Sequence, residues 1–244
     1  DLRMSRGLGD VYKRQVLADG PSYDITNYDM DAYIQEDGTL HIDESITYYF
    51  SSSANGLTRD LRYYYKTNKD TMEPNSARYQ ATGIENLTVA VTNSANITTN
   101  FAKVSNAEKG DNGVYTVDTV NADRTDGYDI MVYSPISSNN FQTVHYSYDI
   151  TDAVVQYNDM SEIYYNFIGN GIETDVDEFN LDIYLPKSIN MDYVKYYPHT
   201  YATKLENIQV LLDSSSNCIN FNIKNIPSGE PVDARIVFPN TVCL

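Results

Sequence analysis

The chain has no tryptophan and only two cysteines, Cys218 and Cys243, among its 244 residues. Two cysteines do not staple a small domain, so the fold must rest on an apolar core and not on a disulfide framework. Long apolar runs are also missing. No segment approaches the roughly 18 consecutive apolar residues that a membrane helix needs. Basic residues are scarce: 17 Lys and Arg against 34 Asp and Glu give a net charge of −17. That balance argues against nucleic acid, because phosphate contact needs clustered Lys and Arg. It argues equally against docking of the whole surface on anionic lipid headgroups. There are three histidines, His41, His145 and His199, and none has a nucleophile in a recognisable motif beside it. The nucleophile-elbow pattern G-x-S-x-G and the phosphate-cradling glycine loops are both absent.

What the chain has instead is tyrosine, 23 of them, in short alternating runs. Tyrosine suits a pleated, half-wet sheet, since its ring buries while its hydroxyl stays hydrated. Doublets such as Tyr48-Tyr49, Tyr164-Tyr165 and Tyr196-Tyr197 put one ring on each face of a strand. The clearest alternation is in Thr39–Phe50. Leu40, Ile42, Ile46, Tyr48 and Phe50 share one face; His41, Asp43, Ser45 and Thr47 share the other. With Tyr23–Ile34 and the turn Glu36-Asp37-Gly38 it forms an opening hairpin. Glu44 breaks the pattern by falling on the apolar face, where a lone charge is costly. The nearest candidate partner is Arg59, with Arg62 as the alternative.

Further strands are expected at Gly83–Asn93, Ile97–Val104, Val114–Val120, Tyr128–Tyr133, Gln142–Ile150, Phe179–Leu185, Leu205–Leu212, Cys218–Ile223 and Val232–Phe238. Ser51–Ala81 reads as a long polar connection, with Asn55-Gly56 as a turn and Pro74 within it. Asp123–Gly127 reads as a second turn. Asp152 can cap a short helix, and helix is expected somewhere in Thr151–Ile168. Strands at this spacing with turn signals predict an all-β fold, an antiparallel β-sandwich with one or two short helices. Its core is expected to contain Ile42, Ile46, Tyr48, Leu87, Val89, Tyr146, Leu181, Ile183, Phe221 and Ile236. Thr151–Asn158 is the one candidate boundary between two lobes.

The weak chemical signals are acidic. Asp123, Asp126 and Asp129, and separately Asp175 and Asp177, place oxygens near turns. Ca²⁺ wants six to eight such ligands. Neither run fits the EF-hand loop, so ordinary acidic turns are the plainer reading, with no cofactor expected.

The two ends look foreign. Asp1–Gln15 carries Arg3, Arg6, Lys13 and Arg14 with no alternation, and SRGLGDVYKRQ resembles a translated sequencing adapter. Val242-Cys243-Leu244 has the same look. Val16-Leu17-Ala18 before Asp19 has the small-residue spacing of a signal-peptidase cut. The expected organisation is therefore a non-native leader and signal remnant over 1–18, a β domain over 19–239, and a truncated tail over 240–244.

The opening hairpin, the run NGLTRDL, Tyr146–Ile150, the run Met160–Gly171 ending in YYNFIGNG, and Ile226–Pro239 together resemble a family of bacterial predicted membrane proteins, domain of unknown function 2207. The resemblance covers Tyr23 to Pro239. It implies a secreted N-terminal β domain, followed in members by transmembrane helices and a cytoplasmic tail, which would lie beyond this fragment. A tryptophan that often follows the YYNFIGNG-like segment is replaced here by Ile172-Glu173. The family carries no established activity. The resemblance therefore implies a cell-surface location and no mechanism; a protein or cell-envelope partner is a separate expectation. Three readings stand: an interaction or sensing ectodomain without catalysis, a structural or adhesive module, and a glycan-active enzyme.

Overall fold

A computed structural model describes residues 22–65, 81–121, 125–169, 171–203 and 205–240. The leader Asp1–Gln15, the signal-like Val16–Ala18, Pro74, Asp123 and Val242–Leu244 lie outside the described residues. The strands in chain order are β1 (Tyr23–Ile34), β2 (Leu40–Phe50), β3 (Ala54–Tyr65), β4 (Gly83–Thr92), β5 (Thr98–Asn100), β6 (Ala102–Lys103), β7 (Val114–Asn121), β8 (Thr125–Ile136), β9 (Asn140–Thr151), β10 (Val155–Gln156), β11 (Met160–Ile168), β12 (Val176–Tyr184), β13 (Lys195–His199), β14 (Ile208–Asp213), β15 (Cys218–Ile226) and β16 (Val232–Pro239). Helix is confined to two single 3₁₀ turns, Met191–Tyr193 and Leu205–Asn207. The fold is all-β.

One eight-stranded sheet runs β14-β15-β12-β1-β2-β9-β4-β5. Two four-stranded sheets, β10-β11-β16-β13 and β3-β8-β7-β6, supply the facing layer. Arg59 of β3 reaches Glu44 of β2, and Tyr196 of β13 packs edge-on against Phe221 of β15, so both small sheets lean on the large one. A single contiguous apolar cluster joins all three. Most neighbours are antiparallel, but β1 with β12 and β6 with β7 are parallel. The expected purely antiparallel sandwich is thus mixed, because the partner of β1 comes from far along the chain instead of from a hairpin.

Alternation placed the core well. Ile42, Ile46, Tyr48, Val89, Tyr146, Leu181, Ile183, Phe221 and Ile236 are all buried. Leu87 is only half-buried. A register shift between Glu85 and Thr88 leaves Asn86 with φ of 53° and turns Leu87 partly out of the layer.

Four local expectations fail, each for a physical reason. The connection over Ser51–Ala81 contains β3. Its Asn55-Gly56 is no turn: a Cβ at Gly56 would lie 2.0 Å from the Val132 carbonyl oxygen, so glycine lets β3 press onto β8. Gly127 is likewise in a strand, where a Cβ would lie 2.1 Å from the Leu61 carbonyl oxygen. The helix expected within Thr151–Ile168 is replaced by β10 and β11. Asp152 has φ of 54° and Val154 is buried, its N–H donating to the Gly38 carbonyl at 3.1 Å. Ile163, Tyr165 and Phe167 then alternate inward along β11. Finally, β13 was hidden by Pro198, which a sheet tolerates on an edge strand.

Candidate functional site

Glu44 sits where its strand's period puts it, on the inner face, opposite Met30 of β1 and Tyr146 of β9. It is 1% exposed. From the facing sheet, Leu57, Arg59 and Leu61 present the buried face of β3. Arg59 Nε donates to Glu44 Oε1 at 2.9 Å and Nη2 to Oε2 at 2.9 Å, a two-pronged pair. Nη2 also donates to the Tyr28 hydroxyl at 2.8 Å, and that hydroxyl donates on to Glu44 Oε2. Nη1 donates to the Asp60 carbonyl at 2.9 Å. Arg62, the alternative partner, turns away to Asp129 Oδ1 at 2.7 Å and Asp60 Oδ2 at 3.4 Å.

Burial alone would lower the pKa of Arg59, but the Glu44 carboxylate, its hydrogen bond to the guanidinium and the hydroxyls of Tyr28 and Tyr148 together outweigh that and hold the guanidinium charged. Burial also pushes the hydroxyls of Tyr28, Tyr48, Tyr146 and Tyr148 well up, so these rings stay neutral. The hydroxyls of Tyr146 and Tyr148 are buried without a hydrogen-bond partner among the described residues.

A cavity of about 300 Å³ opens beside this cluster, with four residues of β3 in its lining. Tyr23 and Tyr48, packed edge-to-face at 5.4 Å, line it with Ile25, Ile46 and Ile172. Its polar side is Thr58, Arg59, Asp60 and Arg62. Four of the five guanidinium N–H groups of Arg59 are engaged as described, which leaves one on Nη1. Gly171 closes one wall. A Cβ there would lie 2.9 Å from Asp60 Oδ2 and would displace that carboxylate. A second cavity of about 300 Å³ lies beside the irregularity in β4, near Phe101, Tyr115 and His145. His145 is held by Ser45 and Thr92, each at 2.7 Å, and burial lowers its pKa.

The acidic candidates do not converge. Asp126 and Asp129 lie three residues apart on β8 and so fall on opposite faces. Asp175 accepts the Ser228 N–H at 2.8 Å, and Asp177 is exposed on β12. Among the described residues no three His, Cys, Asp or Glu come together as a metal-holding group. Cys218 is buried and free; burial, with Asp182 nearby, pushes its thiol up to about 12, as suits a small core residue. His41, read as an outward residue, is tied to Asp149 at 2.6 Å on the outer face of the sheet.

Tyr28 was not recognisable in the sequence as a member of the cluster. A register shift between Ile25 and Asn27 breaks the alternation of β1, so counting by twos gives no warning that Ile25 and Tyr28 are both buried. The cavity itself had no local signal, since its walls come from β1, β2, β3, the start of β8 and the segment after β11.

A family model described as the N-terminal domain of predicted membrane proteins (DUF2207) matches residues 24–238, and the chain belongs to that family. The match makes this the extracytoplasmic domain of a membrane protein. Among the described residues no helix is long and apolar enough to cross a membrane. Comparison with curated proteins finds no match by sequence. Among solved structures, a Legionella pneumophila protein provisionally described as nutrient-binding is similar at 8% identity and a TM-score of 0.47, with 88% of this chain and 67% of that one covered. An M1 zinc metallopeptidase from Deinococcus radiodurans is similar at 10% identity and a TM-score of 0.40, covering 90% of this chain and 42% of that one. A yeast LTA4 hydrolase is similar at 10% identity and a TM-score of 0.44, covering 87% of this chain and 28% of that one. This chain thus spans less than half the length of the metallopeptidase and of the hydrolase.

Proposed function

We propose that the domain is an interaction or sensing ectodomain that works by binding and not by catalysis. One observation carries this reading: each charged side chain at the cavity is neutralised by a partner. Arg59 is held by Glu44, and Arg62 by Asp60 and Asp129. Glycoside hydrolysis needs two carboxylates flanking a cleft. Among the described residues lining the cavity, Asp60 is the only carboxylate, and it is paired. The wall offers aromatic edges, aliphatic side chains and hydrogen-bond donors, which suit a neutral ligand rich in amide or hydroxyl groups. The adhesive reading draws on a separate feature. Tyr193, Tyr197 and Tyr201, 67%, 49% and 83% exposed, lie before, within and after β13.

The test is a photo-crosslinking residue placed at Thr58 in the full-length protein in cells. A discrete adduct that is lost when Gly171→Leu fills the cavity supports binding there. Crosslinking only from Tyr197 would move the function to the tyrosine surface. Turnover of glycan or peptide substrates by the purified chain, abolished by Asp60→Asn, would overturn the binding reading.

A further inference from the structure

Six strands end the three sheets: β14 and β5, β10 and β13, β3 and β6. A free strand edge templates pairing, and proteins usually blunt it. Five of these edges are blunted. β5, β6 and β10 have three, two and two residues. β13 carries Lys195 and Pro198. β3 carries Asp60 and Arg62, its register with β8 shifts twice, and the Arg59 side chain already occupies the Asp60 carbonyl.

β14 has none of these devices. Its sequence IQVLLD is uncharged until Asp213, has no Pro or Gly, and pairs with β15 in unbroken register. Leu211 is 66% exposed and Leu212 42% exposed. These neighbours point to opposite faces of the sheet. Ile208, Val210 and Leu212 continue the inner face beside Ile223, Phe221 and Ile219, whereas Gln209 and Leu211 continue the outer face beside Asn222 and Asn220. A ligand on either face would cover half of this surface. A strand added to the edge would flank both faces at once.

We propose that this strand is β14 of a second copy of the chain, paired antiparallel about a two-fold axis through Val210. Residues directly opposite in an antiparallel pair share a face. Centred on Val210, the pairing sets Val210 against Val210, Ile208 against Leu212 and Gln209 against Leu211. Asp213 falls opposite Asn207, so no carboxylate opposes another. A basic strand would fit worse, since at every position short of Asp213 its charges would lie against Ile, Gln, Val or Leu. The contact is short, and each copy carries a net charge of −17, so long-range repulsion opposes it. The association is therefore weak and is strengthened by salt, the reverse of what attraction to a cationic partner would give.

Sedimentation of the purified chain over a range of micromolar concentrations tests this. A monomer–dimer equilibrium is expected, with the dimer favoured at higher ionic strength. Leu211→Lys should raise the dissociation constant by about tenfold or more, and Tyr201→Lys, at an exposed site elsewhere, should not. Because Leu211 faces solvent in the monomer, the variant should keep its fold. Val210→Cys should give a disulfide-linked dimer through that residue, because it meets its own copy at the axis. A chain that stays monomeric at every concentration and salt would overturn the proposal. So would a dimer that Leu211→Lys leaves intact, or a Val210→Cys chain that oxidises only through its native cysteines.

Discussion

Asp43 and Glu44 are adjacent on β2 and face opposite sides of the same sheet, with opposite outcomes. Glu44 points into the core, is 1% exposed, and meets Arg59 and Tyr28. Asp43 points outward and completes a row of carboxylates, Asp182–Asp31–Asp43, on adjacent strands in direct register. The buried acid has strong partners. In the outward-facing row Asp43 is exposed and Asp31 and Asp182 are half-buried; Asn220 donates to Asp182 and His41 to Asp43, but Asp31, in the middle, has no donor among the described residues. One row over, Asn222, Asn180 and Asp29 form an unbroken hydrogen-bonded chain, at 2.6 and 2.9 Å. Water and screening make Asp31 tolerable without a donor, whereas the interior tolerates Glu44 only because the pair is complete.

The largest break in this comparison is Glu44→Ala. It leaves a buried guanidinium unpaired and should cost about 3–5 kcal/mol in urea-melt stability. Glu44→Met with Arg59→Leu sharpens the point. If the pair serves specificity more than stability, the double variant should recover most of that loss, because ion pairs of this kind often replace neutrally with packed apolar residues. A double variant as unstable as Glu44→Ala would show that the pair contributes net stability.

Tyr28→Phe should cost less, about 1–3 kcal/mol, since it removes the hydroxyl that accepts from Arg59 and donates to Glu44. Tyr146→Phe deletes a buried hydroxyl that has no partner among the described residues, so it should be neutral or stabilising by up to about 1 kcal/mol. Equal losses in the two variants would mean that the cluster extends to Tyr146.

The smallest effect is expected on the outer face. Asp31→Asn should stabilise by a few tenths of a kcal/mol, since like charges directly opposite cost roughly 0.2–1 kcal/mol and this row is solvent-screened. Burial first, then Asp182, Asp43 and Asp29, raises the pKa of Asp31. The folded state therefore holds that proton to higher pH than the unfolded state does. The resulting penalty is full above the raised pKa and fades as pH falls toward the ordinary value of 3.8. The gain from Asp31→Asn should shrink over that same window. A gain that grew on acidification would contradict the assignment.

How much was readable depended on range. The hairpin of β1 and β2, the strand pattern of β9 and most of the core followed from alternation, because each strand records its own two faces. That Glu44 needed a partner was also legible, since a charge at an apolar position stands out whatever surrounds it. β3 was misread because Asn55-Gly56 has the same local chemistry as a turn, and only the close approach of β8 shows why glycine stands there. The residues of 151–168 were ambiguous between helix and strand until β16 and β10 gave them hydrogen-bonding neighbours.

By itself, then, the sequence determined an all-β chain with a defined apolar face on most strands, because the period of two is a property of each strand alone. Tertiary structure decided the rest: the parallel pairing of β1 with β12, the division of the facing layer into two sheets, and the cavity whose walls come from distant segments. It also decided that Tyr28 joins Glu44 and Arg59 and that Asp31 lines up with Asp182 and Asp43. Register between strands far apart in the chain sets these meetings, and no single strand carries that register in its own pattern.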